Sequence, residues 1–231
     1  LILLFLPMIG FGQVYIPDAN FKAYLVGNSA INTNGDGDIQ VSEANSFSGI
    51  IVCSNLNISD LTGFEAFTIL TYLNCEDNQL TNLDLSNNTA LIESKCQGNQ
   101  ITSLDVSQNS ALTSLDCYGN QFISLDVSQN TALQYLDCYF NQLTSLDVSQ
   151  NTALIELNCY SNQLTSLDVS NNFALTDLSC KNNQLTSLDV RNGNNINIDH
   201  SSYPGFNTEN NPNLTCIDVD DPTYSTVNWT I

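Results

Sequence analysis

Leucine, cysteine and asparagine recur along this chain at a fixed interval of 21 residues. Taken from Leu133, one unit reads LxxLxCxxNxLxxLDVSxNxA, where x is a variable position, and such units run from Leu70 to Asn195. A repeat of this length is typical of a solenoid, in which each unit forms one coil. The period is marked by seven cysteines, the last six of them 21 residues apart: Cys53, Cys75, Cys96, Cys117, Cys138, Cys159 and Cys180.

Each unit contains two stretches in which apolar and polar residues alternate. Leu136 and Cys138 flank Asp137, and the Leu-Asp-Val stretch that begins at Leu146 repeats the pattern. Alternation with a period of two predicts a short strand with one buried face. Two strands and two turns leave little room for a helix in such a coil. We therefore predict a mainly β solenoid of short parallel strands, with two narrow sheets facing each other and strands about 4.8 Å apart.

The two halves of the unit, LxxLxCxxN and LxxLDVSxN, are the same pattern shifted by ten residues. In this the chain resembles the nested 21-residue subclass of leucine-rich repeats, sometimes called IRREKO, which occurs in secreted bacterial proteins. The resemblance implies a parallel-strand solenoid that binds ligands on one sheet face. It also implies that the asparagine columns, Asn78 to Asn183 and Asn88 to Asn172, turn inward and bond the backbone of neighbouring turns.

The pattern divides the chain into four parts. Residues 1–12 form an apolar run ending in small residues, which we interpret as the remnant of a signal peptide, with a buried strand as the alternative. Residues 13–47 are predicted to form a small helical N-terminal cap and residues 48–195 the leucine-rich-repeat solenoid. Residues 196–231 are predicted to form an irregular C-terminal cap, in which Tyr224 and Trp229 would cover the last coil. A signal peptide places the chain outside a bacterium, secreted or on the cell surface.

Charge and residue chemistry exclude several classes of function. The chain has 4 Lys and Arg against 24 Asp and Glu, a formal charge of −20, which argues against nucleic acid and anionic membranes as partners. With His200 as the single histidine and so few basic residues, we find no catalytic triad or phosphate site, so the chain is not predicted to be an enzyme. The periodic cysteines occupy apolar core positions and are predicted to be buried, reduced thiols.

Residues 32–43, NTNGDGDIQVSE, resemble the calcium-binding loop of an EF-hand. Gly37 stands at position six of that loop, where the chain turns sharply, and Glu43 at position twelve would supply a bidentate carboxylate. The loop departs from the family pattern at position one, which is usually aspartate. The resemblance implies a structural Ca²⁺ site, with a calcium-free turn as the alternative. Its ligands would be Asn32, Asn34, Asp36, Asp38, Gln40 and Glu43.

The outward positions of the first strand vary most from unit to unit, and we look for partner recognition there. Three tyrosines occupy one column of consecutive coils, where they would offer rigid amphipathic area to a protein or a sugar. The alternative is an aromatic ladder that only stabilises the sheet. The candidate binding residues are Tyr118, Tyr135, Tyr139, Tyr160, Asp116, Asp137 and Glu156.

The second strand carries an outward column of aspartates. Unscreened neighbouring carboxylates repel one another, so these side chains must either accept local hydrogen bonds from the serine and threonine columns or attract cations. The column consists of Asp84, Asp105, Asp126, Asp147, Asp168 and Asp189.

From these observations we expect a non-catalytic extracellular or cell-surface module that recognises a protein or a glycan through the exposed face of the repeat sheet. The alternative is a structural spacer within a larger surface protein. The two alternatives differ in which positions should vary. A binding module varies the residues of its recognition face and keeps the other positions of the repeat constant. The first-strand face of this chain varies among units, whereas the Leu-Asp-Val-Ser block is nearly constant.

Overall fold

The computed structural model describes residues 12–198 and 205–228. The chain winds into stacked coils whose strands form an eight-stranded parallel sheet in the order β1-β2-β3-β4-β5-β6-β8-β10. The mainly β solenoid predicted from the repeat is thus confirmed. These strands are β1 (Ile50–Val52), β2 (Tyr72–Asn74), β3 (Glu93–Lys95), β4 (Ser114–Asp116), β5 (Tyr135–Asp137), β6 (Glu156–Asn158), β8 (Asp177–Ser179) and β10 (Phe206–Asn207).

Strand register keeps every column of the repeat aligned. Leu115 of β4 pairs with Leu136 of β5, which pairs with Leu157 of β6. These leucines are at most 1% exposed and form the core together with the periodic cysteines. All seven cysteines are buried free thiols, and burial raises the pKa of Cys96 to about 12. Such a thiol is protonated and unreactive at neutral pH, as the repeat pattern predicts.

A buried asparagine ladder closes the turn after each strand. The Asn120 amide donates to the carbonyls of Cys96, at 3.0 Å, and Cys117, at 3.1 Å, and its oxygen accepts the Ile101 N–H at 3.0 Å. Each amide therefore links its own coil to the preceding one. This asparagine ladder consists of Asn78, Asn99, Asn120, Asn141, Asn162, Asn183 and Asn211.

The second sheet is smaller than the repeat pattern predicts. It contains only β7 (Ser166–Asp168), β9 (Ser187–Asp189) and β11 (Ile217–Asp218) in the described residues. In earlier coils the Leu-Asp-Val segments do not pair as strands, and side chains bond the backbone carbonyls at the end of these segments. The second asparagine column supplies these bonds: Asn130, for example, donates to the carbonyls of Val106 and Asn109.

The N-terminal cap covers the first edge of the sheet. Helix α1 (Ala19–Val26) begins where the Asp18 carboxylate accepts the backbone N–H groups of Asn20 and Phe21, and α2 (Val41–Ser46) follows the Asn/Gly-rich loop. The Tyr24 hydroxyl accepts the Val52 N–H at 2.9 Å, which satisfies a donor on edge strand β1. Residues 1–11 lie outside the described residues, and with them nearly all of the predicted signal-peptide remnant.

The solenoid continues past residue 195, where the repeat pattern predicts an irregular cap. Strand β10 pairs with β8 and β11 pairs with β9, so one more coil is stacked on the array. In this coil Asn211 extends the asparagine ladder, although an insertion separates it from Asn183 by 28 residues and hides the period. Helix α3 (Pro222–Asn228) follows, while His200 and Trp229 lie outside the described residues.

None of the helices in the described part of the chain is long and apolar enough to span a bilayer.

Ser94 is a polar residue buried in the apolar core. It occupies the position that Leu73 and Leu115 hold in the neighbouring coils, is 0% exposed, and its hydroxyl has no hydrogen-bond partner. A buried, unsatisfied hydroxyl costs about 1–3 kcal/mol. We therefore predict that Ser94→Ala raises the free energy of unfolding by about 1 kcal/mol in denaturant titrations. The exposed Ser124→Ala should change it by less than about 0.5 kcal/mol, and a destabilised Ser94→Ala variant would contradict the prediction.

Candidate functional site

Three columns of side chains cover the outward side of the eight-stranded sheet, which we call the outer face. The first and middle columns lie on either side of the buried leucine of each strand, and the third follows the strand. In the order of the coils, the first column is Tyr72, Glu93, Ser114, Tyr135, Glu156 and Asp177, and the middle column is Asn74, Lys95, Asp116, Asp137, Asn158 and Ser179. The third is Glu76, Gln97, Tyr118, Tyr139, Tyr160 and Lys181.

The tyrosines of the third column stack on one another. The ring centroids of Tyr118 and Tyr139 are 4.2 Å apart and those of Tyr139 and Tyr160 4.3 Å apart, with the rings within 11° of parallel. Lys181 lies 5.1 Å from the Tyr160 centroid, and Tyr160 is only 7% exposed. The expectation that Tyr160 is presented to a partner is therefore wrong. Because the rings use their faces on each other, the stack turns ring edges and hydroxyl groups to solvent rather than a flat platform for sugars.

Phe140 is an exposed aromatic residue that the repeat pattern did not single out. It is 57% exposed and packs edge-on against Tyr139 and Tyr160, with centroids 5.6 and 5.3 Å away. Its φ of 49° is left-handed, a conformation that costs a non-glycine residue about 1–2 kcal/mol. The same turn position holds Gly98, Gly119 and Asn182 in other coils. The sequence signal that could have identified Phe140 is a phenylalanine at a repeat position that otherwise holds residues typical of turns.

Asp116 and Asp137 form a carboxyl pair at the centre of the middle column. They are in register on β4 and β5, so the two carboxyl groups are neighbours along the middle column. Burial and the neighbouring carboxyl raise the pKa of Asp116 to about 7, although Lys95 lies 3.8 Å from it. Burial also raises the pKa of Asp137, although the Asn158 side chain opposes this shift.

Unpartnered acceptor oxygens lie beside this pair. Asn158, in register with Asp137, is 4% exposed, and its Oδ1 has no hydrogen-bond partner. One carboxylate oxygen of Asp137, Oδ1, also lacks a partner, as does Oε1 of Gln97 in the third column. Buried acceptors without donors are costly. The middle of the outer face is therefore short of hydrogen-bond donors.

The aspartate column on the opposite side behaves differently. In each coil one carboxylate oxygen accepts the backbone N–H of the residue two positions on, as in Asp126 with Ser128 at 2.9 Å. This bond and the serine hydroxyl lower the pKa of Asp126. Local bonding to the serine column, the first of the two alternatives, is thus what the structure shows. Shallow grooves lined by Ser103, Asp105 and Ser124 separate the coils here.

The loop of residues 32–43 is held together by its own hydrogen bonds. The Glu43 carboxylate accepts the N–H and hydroxyl of Thr33, the N–H of Asn34 and the N–H of Gln40, at 2.8–3.1 Å. Burial alone would raise the pKa of Glu43, yet these donors lower it below its ordinary value. Glu43 therefore acts as a cap that ties the start of the loop to α2.

The remaining predicted calcium ligands also have protein partners. Asp38 forms an ion pair with Lys22 at 2.5 Å. Asp36 accepts the side-chain amides of Asn34 and Gln40, and its carbonyl accepts the Asn32 amide. Within the described residues no group of three or more acidic, histidine or cysteine side chains converges as metal ligands. Calcium binding stays a prediction from the sequence.

Comparisons with known proteins agree with this geometry. A family model for the leucine-rich-repeat domain of the endo-β-N-acetylglucosaminidase EndoS matches residues 38–151. The functional domain of InlJ from Listeria monocytogenes, described as including a cysteine ladder, is 37% identical, with a TM-score of 0.74 over 88% of this chain and 46% of that one. A Leptospira interrogans leucine-rich-repeat protein is 27% identical, with a TM-score of 0.55 over 58% of this chain and 37% of that one.

Internalin C2 of Listeria monocytogenes has a TM-score of 0.54 over 88% of this chain and 93% of that one, and at 20% identity it shows the fold alone. A search of the curated proteins gives no match. The likeness to InlJ, whose functional domain is described as including a cysteine ladder, decides the architecture. The chain is a leucine-rich-repeat solenoid. This solenoid spans less than half the length of InlJ and of the Leptospira protein.

The solenoid brings most of the predicted binding residues together. Tyr135, 44% exposed, and the half-buried Glu156 lie in the first column beside the carboxyl pair, with Tyr118 and Tyr139 on the other side. Only Tyr160 is withdrawn. Phe140 joins this cluster, which occupies the central coils of the outer face.

The carboxyl pair gives a signed prediction for stability against pH. Because the pKa of Asp116 is higher in the folded solenoid than in the unfolded chain, its contribution to stability is present below pH 4 and lost as the pH rises towards 7. Asp116→Asn should therefore be more stable than the parent at pH 8, by about 1–2 kcal/mol after allowance for solvent screening, with no such gain near pH 4.

The control for this measurement is Asp147→Asn, whose parent carboxyl has a pKa lowered by the Ser149 backbone N–H. Its contribution has the opposite sign: it is present at neutral pH and lost on acidification, so the variant should be less stable at pH 7. Denaturant titrations from pH 3.5 to 8 would measure both. Parallel pH profiles for the two variants would contradict the raised pKa of Asp116.

The cap loop gives a second prediction. Glu43→Ala leaves the Thr33, Asn34 and Gln40 donors without their acceptor, so we expect the free energy of unfolding to fall by about 2–3 kcal/mol. This loss should already be present in a chelator, because the three hydrogen bonds need no metal. Thermal melts of parent and variant under both conditions would test this, with Asp36→Ala as the loop control. A loss confined to the calcium condition would instead identify Glu43 as a metal ligand.

Proposed function

We propose that this solenoid is a non-catalytic, extracellular protein-binding module of a bacterium that recognises its partner through the central coils of the outer face. The observation that carries the proposal is Phe140, a solvent-exposed aromatic residue held in a strained left-handed turn. Asp77, Ser161 and Asn182 adopt the same left-handed conformation at this position of other coils, so the repeat requires the turn but not an aromatic side chain. Exposed aromatic anchors dominate many protein interfaces.

The surroundings of Phe140 support a protein partner. Tyr135, Tyr139 and Phe140 belong to one coil, so they form a mixed aromatic patch on the outer face. Edge-presented tyrosines combine apolar area with hydroxyl donors, a composition enriched at protein interfaces. The net charge of −20 favours a partner with a basic contact surface. A glycan partner is less well supported, because the tyrosine ring faces on which a sugar would pack are already stacked on one another.

Solenoids of this type are generally non-catalytic, and the outer face offers no nucleophile paired with a base in the described residues. The proposal also takes the repeat as the nested 21-residue type, because each coil contains two leucine-rich half-units and no helix. Export is supported by the apolar run at residues 1–12. The spacer alternative explains the constant Leu-Asp-Val-Ser side but not the aromatic cluster.

A matched pair of variants tests the proposal. Phe140 and Phe173 are 57% and 59% exposed, but only Phe140 lies beside the tyrosine stack. Phe140→Asn places the residue of Asn182 in the same left-handed turn position, so it should fold normally. Phe173→Thr restores the residue found at that position in other coils. A partner would first be identified by crosslinking to cell-surface extracts, and its affinity then measured by biolayer interferometry.

We expect Phe140→Asn to weaken binding at least about tenfold, as loss of a central aromatic anchor does, and Phe173→Thr to leave it unchanged. Thermal melts of both variants should match the parent within a few degrees. Equal affinity for the parent and Phe140→Asn would remove the outer face as the binding site. A chain that captures no partner at all, with both variants equally stable, would favour the spacer.

A further inference from the structure

We propose that the edge of strand β10, at the C-terminal end of the solenoid, is a second interaction surface that binds an extended, positively charged segment of a partner protein. The segment would add to the sheet as one more parallel strand, with an asparagine four residues after its first paired carbonyl. This edge is three strands away from β5 in the sheet, so the inference does not depend on the function proposed for the central coils.

Two backbone donors at this edge lack acceptors. In the preceding coil, the N–H of Cys180 donates to the Asn207 carbonyl at 2.9 Å, and the same bond recurs two residues further on, at 2.8 Å. The equivalent donors of the last coil are the N–H groups of Thr208 and Asn210, and neither has a partner among the residues that the structure describes. Unpaired N–H groups on an edge strand are a template for another extended chain.

The two edges of the sheet end differently. At the first edge, the Val52 N–H of β1 donates to the Tyr24 hydroxyl at 2.9 Å. At the last edge, the chain continues into α3, but the Tyr224 hydroxyl ties that helix to the Ile196 carbonyl, 3.2 Å away in the segment after β9. Within the described parts of the chain, no segment pairs with β10 on its open side.

An open groove of about 510 Å³ leads to the unpaired donors. Leu214, which lines this groove, is only partly buried. Ile217 of β11 is also partly buried, although Leu188, its partner in register on β9, is 1% exposed. The last coil therefore presents apolar area beside the edge, and an added strand would remove part of that area from water. The groove is lined by Thr208, Glu209, Asn210, Asn211 and Leu214.

The inner coils show which groups such a strand must supply. The carbonyls of Asp116 and Tyr118 accept N–H groups of the coil before them, at 2.8 and 3.0 Å. Two residues further on, the Asn120 amide donates to a carbonyl of that same coil at 3.0 Å. The equivalent carbonyl of the last coil, that of Thr208, accepts only the Asn211 amide of its own coil in the described residues. A segment with two carbonyls two residues apart, and an asparagine two residues later, therefore matches all three groups.

Charge favours a basic segment over a second copy of this chain. Residues 205–228 contain four exposed acidic residues and no lysine or arginine. Pairing of two copies through this edge would bring like charges together, whereas a segment with lysine or arginine would meet opposite charge. The acidic residues are Glu209, Asp218, Asp220 and Asp221.

The experiment measures amide hydrogen exchange by NMR on the full ¹⁵N-labelled chain. The probe is the acetylated, amidated peptide SKVQGNQ, which copies residues 94–100 with valine in place of Cys96. Without the peptide, we expect the Thr208 and Asn210 amides to exchange rapidly and the Cys180 amide to be protected. Saturating peptide should slow the first two at least about tenfold. A control peptide with alanine in place of Asn99 should bind about tenfold more weakly, because it lacks the ladder hydrogen bond.

Two variants separate the backbone donor from the charge. Thr208→Pro removes one donor at a sheet edge, where proline is tolerated, and should weaken the peptide at least about tenfold. Thr208→Val keeps that N–H and should bind several times more tightly than Thr208→Pro. Glu209→Gln should weaken the lysine peptide, whereas the matched Asp147→Asn should not. If Thr208→Pro does not fold, the exchange rates of the parent chain still decide.

Two results would overturn the inference. The first is protection of the Thr208 and Asn210 amides in a dilute solution of the chain without peptide. The second is equal binding of the peptide and its alanine control. Protection that appears only as the chain concentration rises would identify a second copy as the occupant, and would also contradict the proposed basic partner.

Discussion

The whole solenoid depends on the hydrogen bonds of one buried side chain per coil. In the asparagine ladder each amide ties two carbonyls and one N–H across adjacent coils, at 2.8–3.2 Å. No strand ladder can reach these groups, because the chain has already turned away from the sheet. This turn requires a left-handed backbone conformation at the residue just before the asparagine. That requirement explains why Gly98, Gly119 and Asn182 occur at this position.

Because this bonding fixes the inner half of every coil, the outer face is free to vary without loss of the fold. The side chains of the three outward columns make few of the bonds that stack the coils. Aromatic, acidic and basic residues therefore coexist there, whereas the positions of Leu136, Cys138 and Asn141 tolerate almost nothing else. The left-handed conformation of Phe140 is tolerated for the same reason. The hydrogen bond from the Phe122 N–H to the side-chain oxygen of Asn141 holds the turn regardless of which residue precedes Asn141.

Sequence periodicity predicted the parts of the structure that repeat and failed where something interrupts the repeat. The strand register, the buried thiols and the inward asparagines all follow from spacing. The extra C-terminal coil was hidden by an insertion, and the second sheet was overestimated because only the last coils pair their second strands in the described residues. The burial of Tyr160 depends on Lys181 in the next coil, a contact that no single column reveals.

Two outward-facing aspartates show that residue type alone does not determine the chemistry of a side chain. Asp126 belongs to a column that repeats from coil to coil, and Asp137 has an aspartate neighbour only in Asp116, yet their pKa values move in opposite directions. Asp126 is followed by a turn whose Ser128 N–H points back at its carboxylate, so its charge is solvated locally. Asp137 is the last residue of strand β5, where the following N–H, that of Cys138, donates to the Asn158 carbonyl of the next strand and burial removes water. Its charge can be satisfied only by a proton, by Asp116 and Lys95, or by a donor brought from another molecule. That difference, set by the position of each residue in the coil, makes one column architecture and the other a candidate for recognition.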